Sequence, residues 1–374
     1  MTHASRTNRF RQRGTAPHVP TPHGQYLPAV EVTRGSLVES VHCAAIAVAD
    51  SGGRVVARLG GIDHPVFLRS SAKPLQAMAV VESGAVEKFG FGEAELAVMT
   101  GSHSSEPRHV ETVSAILARI GLDASALQCG THTPFSRQVA ERYRAERRPF
   151  TALEHNCSGK HAGMLAAALA GGHDTATYLD PRHPVQQRIM GIVADLTGRM
   201  RDRILIAIDG CGAPTLAVSL SEAARAFARL VSAGAERTPG DAARGAHGEA
   251  AARVVAAMRA HPLMVAGEGM LDTEVTAQQR HDLICKRGAE GVQCAAYTAG
   301  GAGYGIAAKV GDGDSGRARV ALTLEILRQL ELVDEAGLGR LSESSLCTIR
   351  NNSGREVGVA RGAFTLQREP VARE

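Results

Sequence analysis

The hydrophobic pattern divides the chain into three zones. SLVESVHCAAIAVAD (36–50) and RVVARLG (54–60) are β-branched-rich runs joined by Ser51-Gly52-Gly53, a hairpin signal. After Pro65 the period lengthens, and AKPLQAMAVVESGAV suits a helix beginning near Ser71, which lets Pro74 sit in the first turn. EAELAVMTG, EPRHVETVSAILARIG, SRQVAERYRAERR, GKHAGMLAAALAG and PVQQRIMGIVADLTG keep that helical rhythm. RILIAIDGCG (203–212) predicts a short buried strand, and TLAVSLSEAARAFARLVSAG (215–234) and GEAAARVVAAMRAH (248–261) predict Ala-rich helices. The last third returns to strands in DLICKRG, VQCAAYTA and GYGIAAKVGDG, then a helix in RARVALTLEILRQL and a strand in REVGVARGAF.

Strands, many helices, then strands again predict an α/β (α+β) fold. Its mostly antiparallel sheet is built from both chain ends, with a helical region inserted at about residues 70 to 260. Residues 25–374 are expected to form one domain. Residues 1–24, polar, basic and broken by prolines, read as a disordered extension, and 235–247 as a long loop.

Composition narrows the function. Aromatics make up 3% of the 374 residues and tryptophan is absent, so the core must be packed from Ala, Val, Leu and Ile. The net charge is only +4, with Arg6, Arg9, Arg11 and Arg13 all near the N-terminus, which argues against nucleic-acid binding by the folded part. Seven widely spaced cysteines and no secretory signal point to reduced thiols in the cytoplasm. No run of about 18 apolar residues is present to span a membrane. Basic residues are almost all arginine; the five lysines are Lys73, Lys88, Lys160, Lys286 and Lys309. Where arginine serves every ordinary positive charge, the remaining lysines are enriched for places needing an amine that can lose its proton.

Four constellations carry candidate chemistry. Ser70 and Lys73 stand three apart at a helix start, where hydroxyl and amine share a face. A serine needs a base to become a nucleophile, and lysine is one only if its pKa falls by about 3 units, at about 4 kcal/mol. A solvated lysine is the plain alternative, but the apolar flanks PVFLRSSA and PLQAMAV speak against it. Lys286 lies in K-x-G at the end of a strand run, where Gly288 would let backbone approach a substrate; an edge-strand lysine is the alternative. In TGSHSSEPRHVE, Ser104 or Ser105 can cap the following helix, leaving Ser102 unexplained. Cys157, Lys160 and Cys211 offer two thiols and an amine, but two distant cysteines do not by spacing make a metal site. SGKH lacks the upstream glycine and following Ser or Thr of a phosphate loop, while GGAGYG and GDGDSG lack the context of dinucleotide or calcium loops and read as turns.

Serine with lysine on a helix and K-x-G on a later strand resembles the serine β-lactamase and penicillin-binding-protein architecture. The blocks LRSSAKPLQA, TGSHSSEPRHV, NCSGKHAGML, DGCGAPT and KRGAEGV more closely resemble the bacterial L-asparaginase II family of the rhizobial inducible type, over about residues 29 to 331. That resemblance implies a β-lactamase-like homodimer hydrolysing L-asparagine to L-aspartate and ammonia. It implies two serine–lysine pairs, Ser70 with Lys73 and Ser102 with Lys286, and a zinc ion held by Cys157, Lys160 and Cys211. Arg69, His161, Asp209 and Glu290 adjoin these motifs as residues expected to orient the substrate. Backbone N–H groups near Ser70 and Gly288 are expected to form the oxyanion hole. A serine hydrolase of glutamine or a β-lactam, or a zinc- or amino-acid-binding protein without turnover, are the other readings.

Overall fold

The computed structural model describes residues 25–232, 242–278, 280–344 and 347–369. The extension expected at 1–24 lies outside them, as does most of the predicted loop; its end, from residue 242, is the start of a helix running to Ala260.

Among the described residues twelve strands follow in order: β1 Leu27–Arg34, β2 Leu37–Asp50, β3 Val55–Leu59, β4 Pro65–Phe67, β5 Leu205–Ile208, β6 Pro214–Ser219, β7 Ile284–Arg287, β8 Val292–Ala299, β9 Ala302–Val310, β10 Thr348–Arg350, β11 Glu356–Gly362 and β12 Gln367–Arg368. The main sheet runs β10-β11-β1-β2-β9-β8-β7, with β3 paired to β2 and β12, and every pairing is antiparallel. Both ends of the chain build this sheet, and the helices between β3 and β7 form the inserted region, as the hydrophobic pattern predicts. The long β2 sits at its centre: its second half, Ala44 to Ala49, is buried on both faces, hence the unbroken apolar run.

One face of the sheet meets the inserted helices. Ala45, Ala47, Ala49, Cys294 and Ala307 share one buried cluster there with the helices Lys73–Glu82, Ser158–Ala170 and Leu220–Val231, of which Leu220–Val231 lies directly on β2, β8 and β9. The other face, with Ile46, Val48, Ala295 and Ile306, is covered by the helix Arg317–Gln329. Small residues let these layers approach closely. A Cβ on Gly305 would stand inside van der Waals contact of the Ala224 carbonyl oxygen.

Two local predictions are corrected. TLAVS is strand β6, and the helix begins only at Leu220, where Ser219 and Glu222 form a reciprocal cap. The strand predicted as buried, β5, is the outer strand of a separate three-stranded sheet, β4-β6-β5, and its Leu205, Ile206 and Ile208 are exposed. Its apolar run reads as a core strand because periodicity cannot tell an interior strand from an apolar edge.

Candidate active site

Lys73 opens the helix Lys73–Glu82, directly after a 3₁₀ turn over Arg69–Ala72, with Pro74 in the first turn where its missing N–H costs nothing. The turn begins at Arg69 in the left-handed region (φ 51°), uncommon for a side-chain-bearing residue. The Lys73 side chain is buried and does not end on Ser70. Its Nζ donates to the carbonyls of Gly101 (2.6 Å) and Asn156 (3.2 Å) and meets Ser102 Oγ at 3.0 Å. A buried amine must satisfy its N–H groups, and these inward acceptors do so. Ser70 stays at the half-buried rim, joined to Lys73 through the backbone, where the Lys73 N–H donates to the Ser70 carbonyl.

Lys286, fully buried on β7, reaches the same hydroxyl. Its Nζ lies 2.9 Å from Ser102 Oγ and donates to the Arg287 carbonyl at 3.0 Å. Ser102 therefore stands between two lysine amines, 1% exposed. Burial lowers Lys73 below its ordinary pKa, opposed by the negative potential of Cys157. Burial also pushes Lys286 down to about 7, with Asp272 opposing and Lys73 and Arg287 assisting.

The loop carrying Ser102 is pinned throughout. Ser102 N–H donates to the Val265 carbonyl (2.8 Å), Ser104 Oγ to Glu106 (2.7 Å) and Ser105 Oγ to the Glu154 carbonyl (2.5 Å). Neither Ser104 nor Ser105 caps the following helix; Glu106 and His109 do. His103, buried beneath, meets Ser158 Oγ at 2.8 Å.

Gly288 serves differently from its expected role. Its N–H donates to the Val292 carbonyl at 2.8 Å, closing the β7–β8 turn, and is engaged instead of forming an oxyanion hole. The close approach it permits is to the Leu68 carbonyl, which a Cβ would meet at 2.8 Å.

The thiols Cys157 and Cys211 and the Lys160 amine converge beside this centre. Lys160 Nζ donates to Cys211 Sγ at 3.0 Å, and all three side chains are buried. A hydrogen bond from Cys211 holds Cys157 well below an ordinary thiol, with burial opposing and Lys73 and Lys160 assisting; that bond and burial push Cys211 up. Burial opposes the charge on Lys160, but facing both sulfurs lifts it to about 12. Cys129, Cys285, Cys294 and Cys347 are instead raised mainly by burial, the ordinary state of an inert core thiol.

Of the four residues expected to orient substrate, Arg69 and Asp209 form one half-buried pair, with Arg69 Nε and Nη2 on Asp209 Oδ1 at 3.1 and 2.8 Å. Glu290 is exposed in the β7–β8 turn, near enough to add to the potential on Arg69. His161 is elsewhere in character. It is fully buried, Nδ1 is 2.6 Å from Tyr178 Oη, and Nε2 has no hydrogen-bond partner. Burial holds it neutral, well below the usual histidine range.

Two groups at the centre carry no motif. Arg287 donates from Nη2 to the Ser102 carbonyl (2.9 Å) and lies over the Phe135 ring. Asp272 lies 3.7 Å from Lys286 Nζ, fully buried. Asp272 stands in GMLDTEV, where nothing in the sequence separates it from a first-turn helix acid; Arg287 adjoins Lys286 and adjacency was its one signal.

The L-asparaginase II family profile matches residues 30–362, nearly the whole described chain. The chain belongs to the L-asparaginase II family. No helix among its described residues is long and apolar enough to cross a membrane. Comparison with curated proteins gives no match. Among solved structures, Mglu in its native form is 15% identical, with 78% of this chain and 66% of that chain covered, at a TM-score of 0.36. A Bacillus glutaminase crystallised in 4.3 M NaCl is 12% identical, with 77% and 91% covered, at 0.37. This L-asparaginase II chain spans just under two thirds of the length of that Mglu structure, and likeness at this level bears on neither substrate nor mechanism.

Proposed function

We propose that this family member hydrolyses the side-chain amide of L-asparagine to L-aspartate and ammonia by serine–lysine chemistry. The observation that carries this reading is the Lys73–Ser102–Lys286 chain, two buried amines at 3.0 and 2.9 Å from one hydroxyl. With Lys73 neutral, its two N–H groups serve its shorter contacts, the Gly101 carbonyl and Ser102 Oγ, and its lone pair remains for a proton. Ser70 is the attacking hydroxyl, because it is half-buried at the rim while Ser102 is enclosed by its two amines. As Ser70 Oγ bonds to the amide carbon, its proton enters the chain through Lys73, and Ser102 relays to Lys286. The positive charge so gained faces the oxyanion, in place of the Gly288 N–H that the turn consumes. The proton then leaves with ammonia, and water releases L-aspartate from the acyl-enzyme. Arg69, Asp209 and the exposed Glu290 are assigned to the substrate's charged ends.

The test is ammonia release from L-asparagine together with rapid acid quenching and peptide mass mapping. The expected acyl adduct sits on the peptide containing Ser70; an adduct on Ser102, or none with turnover present, overturns the assignment. Glutamine, one methylene longer, is expected to be slower by about 10- to 200-fold.

Zinc belongs to the same reading. The donors Cys157, Lys160 and Cys211 suit zinc, which favours thiolate and nitrogen ligands. Among the described residues no group of three or more Cys, His, Asp and Glu could hold a metal, so the third ligand here would be the Lys160 amine. Bound zinc supplies positive charge that positions a substrate's polar groups. Metal analysis of the purified protein is expected to find about one zinc per chain, lost in Cys157→Ala; full zinc in that variant excludes this site. Seven free thiols support a cytoplasmic setting, and the exposed apolar edge of β5 supports a homodimer.

A further inference from the structure

Asp272 is a carboxylate with 1% of its surface exposed, in the short helix Leu271–Thr276 beneath β7. A buried charge is costly unless its surroundings answer it. Here Oδ2 accepts the Arg287 N–H at 2.8 Å and Oδ1 accepts Gln293 Nε2 at 3.2 Å. Gln293 Oε1 in turn accepts from Arg319, whose Nε is fixed on the Ser315 carbonyl at 3.0 Å. Burial opposes the Asp272 charge, yet Lys286, Arg287 and Arg319 hold it ionised below the ordinary value. β7, β8 and the helix Arg317–Gln329 thus aim one carboxylate at Lys286.

The distance of 3.7 Å from Oδ2 to Lys286 Nζ is too long for a hydrogen bond, so Asp272 acts through its field. A neutral Lys286 spends one N–H on the Arg287 carbonyl, and its lone pair faces Ser102 Oγ at 2.9 Å, ready for the Ser102 proton. The ammonium formed when that lone pair takes the Ser102 proton finds its answering charge in Asp272. The charged groups facing Lys286 are Asp272, Lys73 from the helix opposite, Arg287 on its own strand and Cys157. The groups that perturb Lys73 most are Cys157, Lys160 and Cys211. The two amines flanking Ser102 are therefore not equivalent.

We propose that Asp272 is a positioning residue that makes Lys286 the resting place of the proton taken up by the Lys73–Ser102–Lys286 chain. This rests on the serine–lysine reading above. On attack the Ser70 O–H bond breaks as the O–C bond forms, and the carbonyl π pair moves to oxygen. The Ser70 proton goes to the Lys73 amine, a Lys73 proton passes to Ser102 oxygen, and the Ser102 proton goes to Lys286. The same proton returns along the chain to the leaving nitrogen, so no outside reactant is needed.

The experiment compares kcat/KM against pH for the full-length wild type, Asp272→Asn, Asp272→Glu and Lys286→Met on L-asparagine. A protonated Lys286 cannot take a further proton, so wild-type activity falls as pH drops through about 7. Removing the carboxylate removes the field that favours the ammonium, so the D272N limb moves at least one unit toward acid. Its alkaline plateau falls about tenfold or more, because the chain is a weaker proton sink. D272E, which keeps the charge, restores the wild-type limb. A lower plateau with an unmoved limb makes Asp272 a structural post and overturns the proposal, as does a D272E limb displaced as far as that of D272N. If D272N does not fold, Asp272→Ser, smaller and neutral, carries the same comparison. Wild-type rate and limb in K286M would sink the serine–lysine reading itself, whereas a dead K286M with an unmoved D272N limb removes only Asp272.

Discussion

Ser70→Ala lowers kcat for ammonia release by about 10⁴-fold or more and leaves the melting temperature within about 2 °C of wild type. Loss of a covalent nucleophile is among the largest single-residue effects in hydrolases, commonly about 10⁴ to 10⁶. The fold is indifferent because the Ser70 hydroxyl makes no hydrogen bond to either lysine; the lysine contacts all converge on Ser102. Ser102→Ala is expected to behave otherwise. It removes a relay and a shared partner of two buried amines, costing about 10²- to 10⁴-fold in rate along with stability. Steady-state ammonia assays and thermal melts on both variants decide the matter. A Ser70→Ala enzyme with more residual activity than Ser102→Ala reverses the two roles.

Gly305→Ala is the substitution expected to harm the fold most for its size. The residue lies on β9 where the helix Leu220–Val231 crosses it, and an added methyl meets the Ala224 carbonyl oxygen and the Ala228 amide, both backbone. Side chains yield to overpacking at about 1 to 3 kcal/mol, but backbone in a central strand cannot rotate away, so about 3 kcal/mol or more is expected. That is a large share of a margin of about 5 to 15 kcal/mol. Calorimetry should show the melting temperature down by about 4 °C or more, with reduced soluble yield. A melt unchanged within 2 °C would show that helix and strand can part cheaply.

Much of this was legible in the chain, for reasons that differ by element. Lys73, Lys160 and Lys286 stand out because a chain written in arginine keeps lysine at few places, and the structure buries all three. The sheet built from both chain ends follows from the placement of the β-branched runs. Which hydroxyl Lys73 reaches was not legible. Spacing of i and i+3 joins it to Ser70, but the amine's need for buried acceptors turns it toward carbonyls at Gly101 and Asn156, distant in sequence. Asp272 is invisible for the same reason, since its meaning comes from a pairing of segments and not from neighbours. Strand β6 was masked by alanine and leucine, which read as helix, although the Ser219–Glu222 cap marked the true helix start.

The scarcity of lysine has a practical consequence. Three of the five amines are sealed in the candidate site and Lys309 is half-buried, which leaves Lys88 as the exposed one. Its Nζ rests on the Leu169 and Ala170 carbonyls, at the far end of the helix whose opening turn carries Lys160. Ten residues of helix separate the two ends, about 15 Å. Apart from the N-terminal amine, an activated-ester resin would grip this molecule by a single handle and hold the Lys160 end of that helix away from the support.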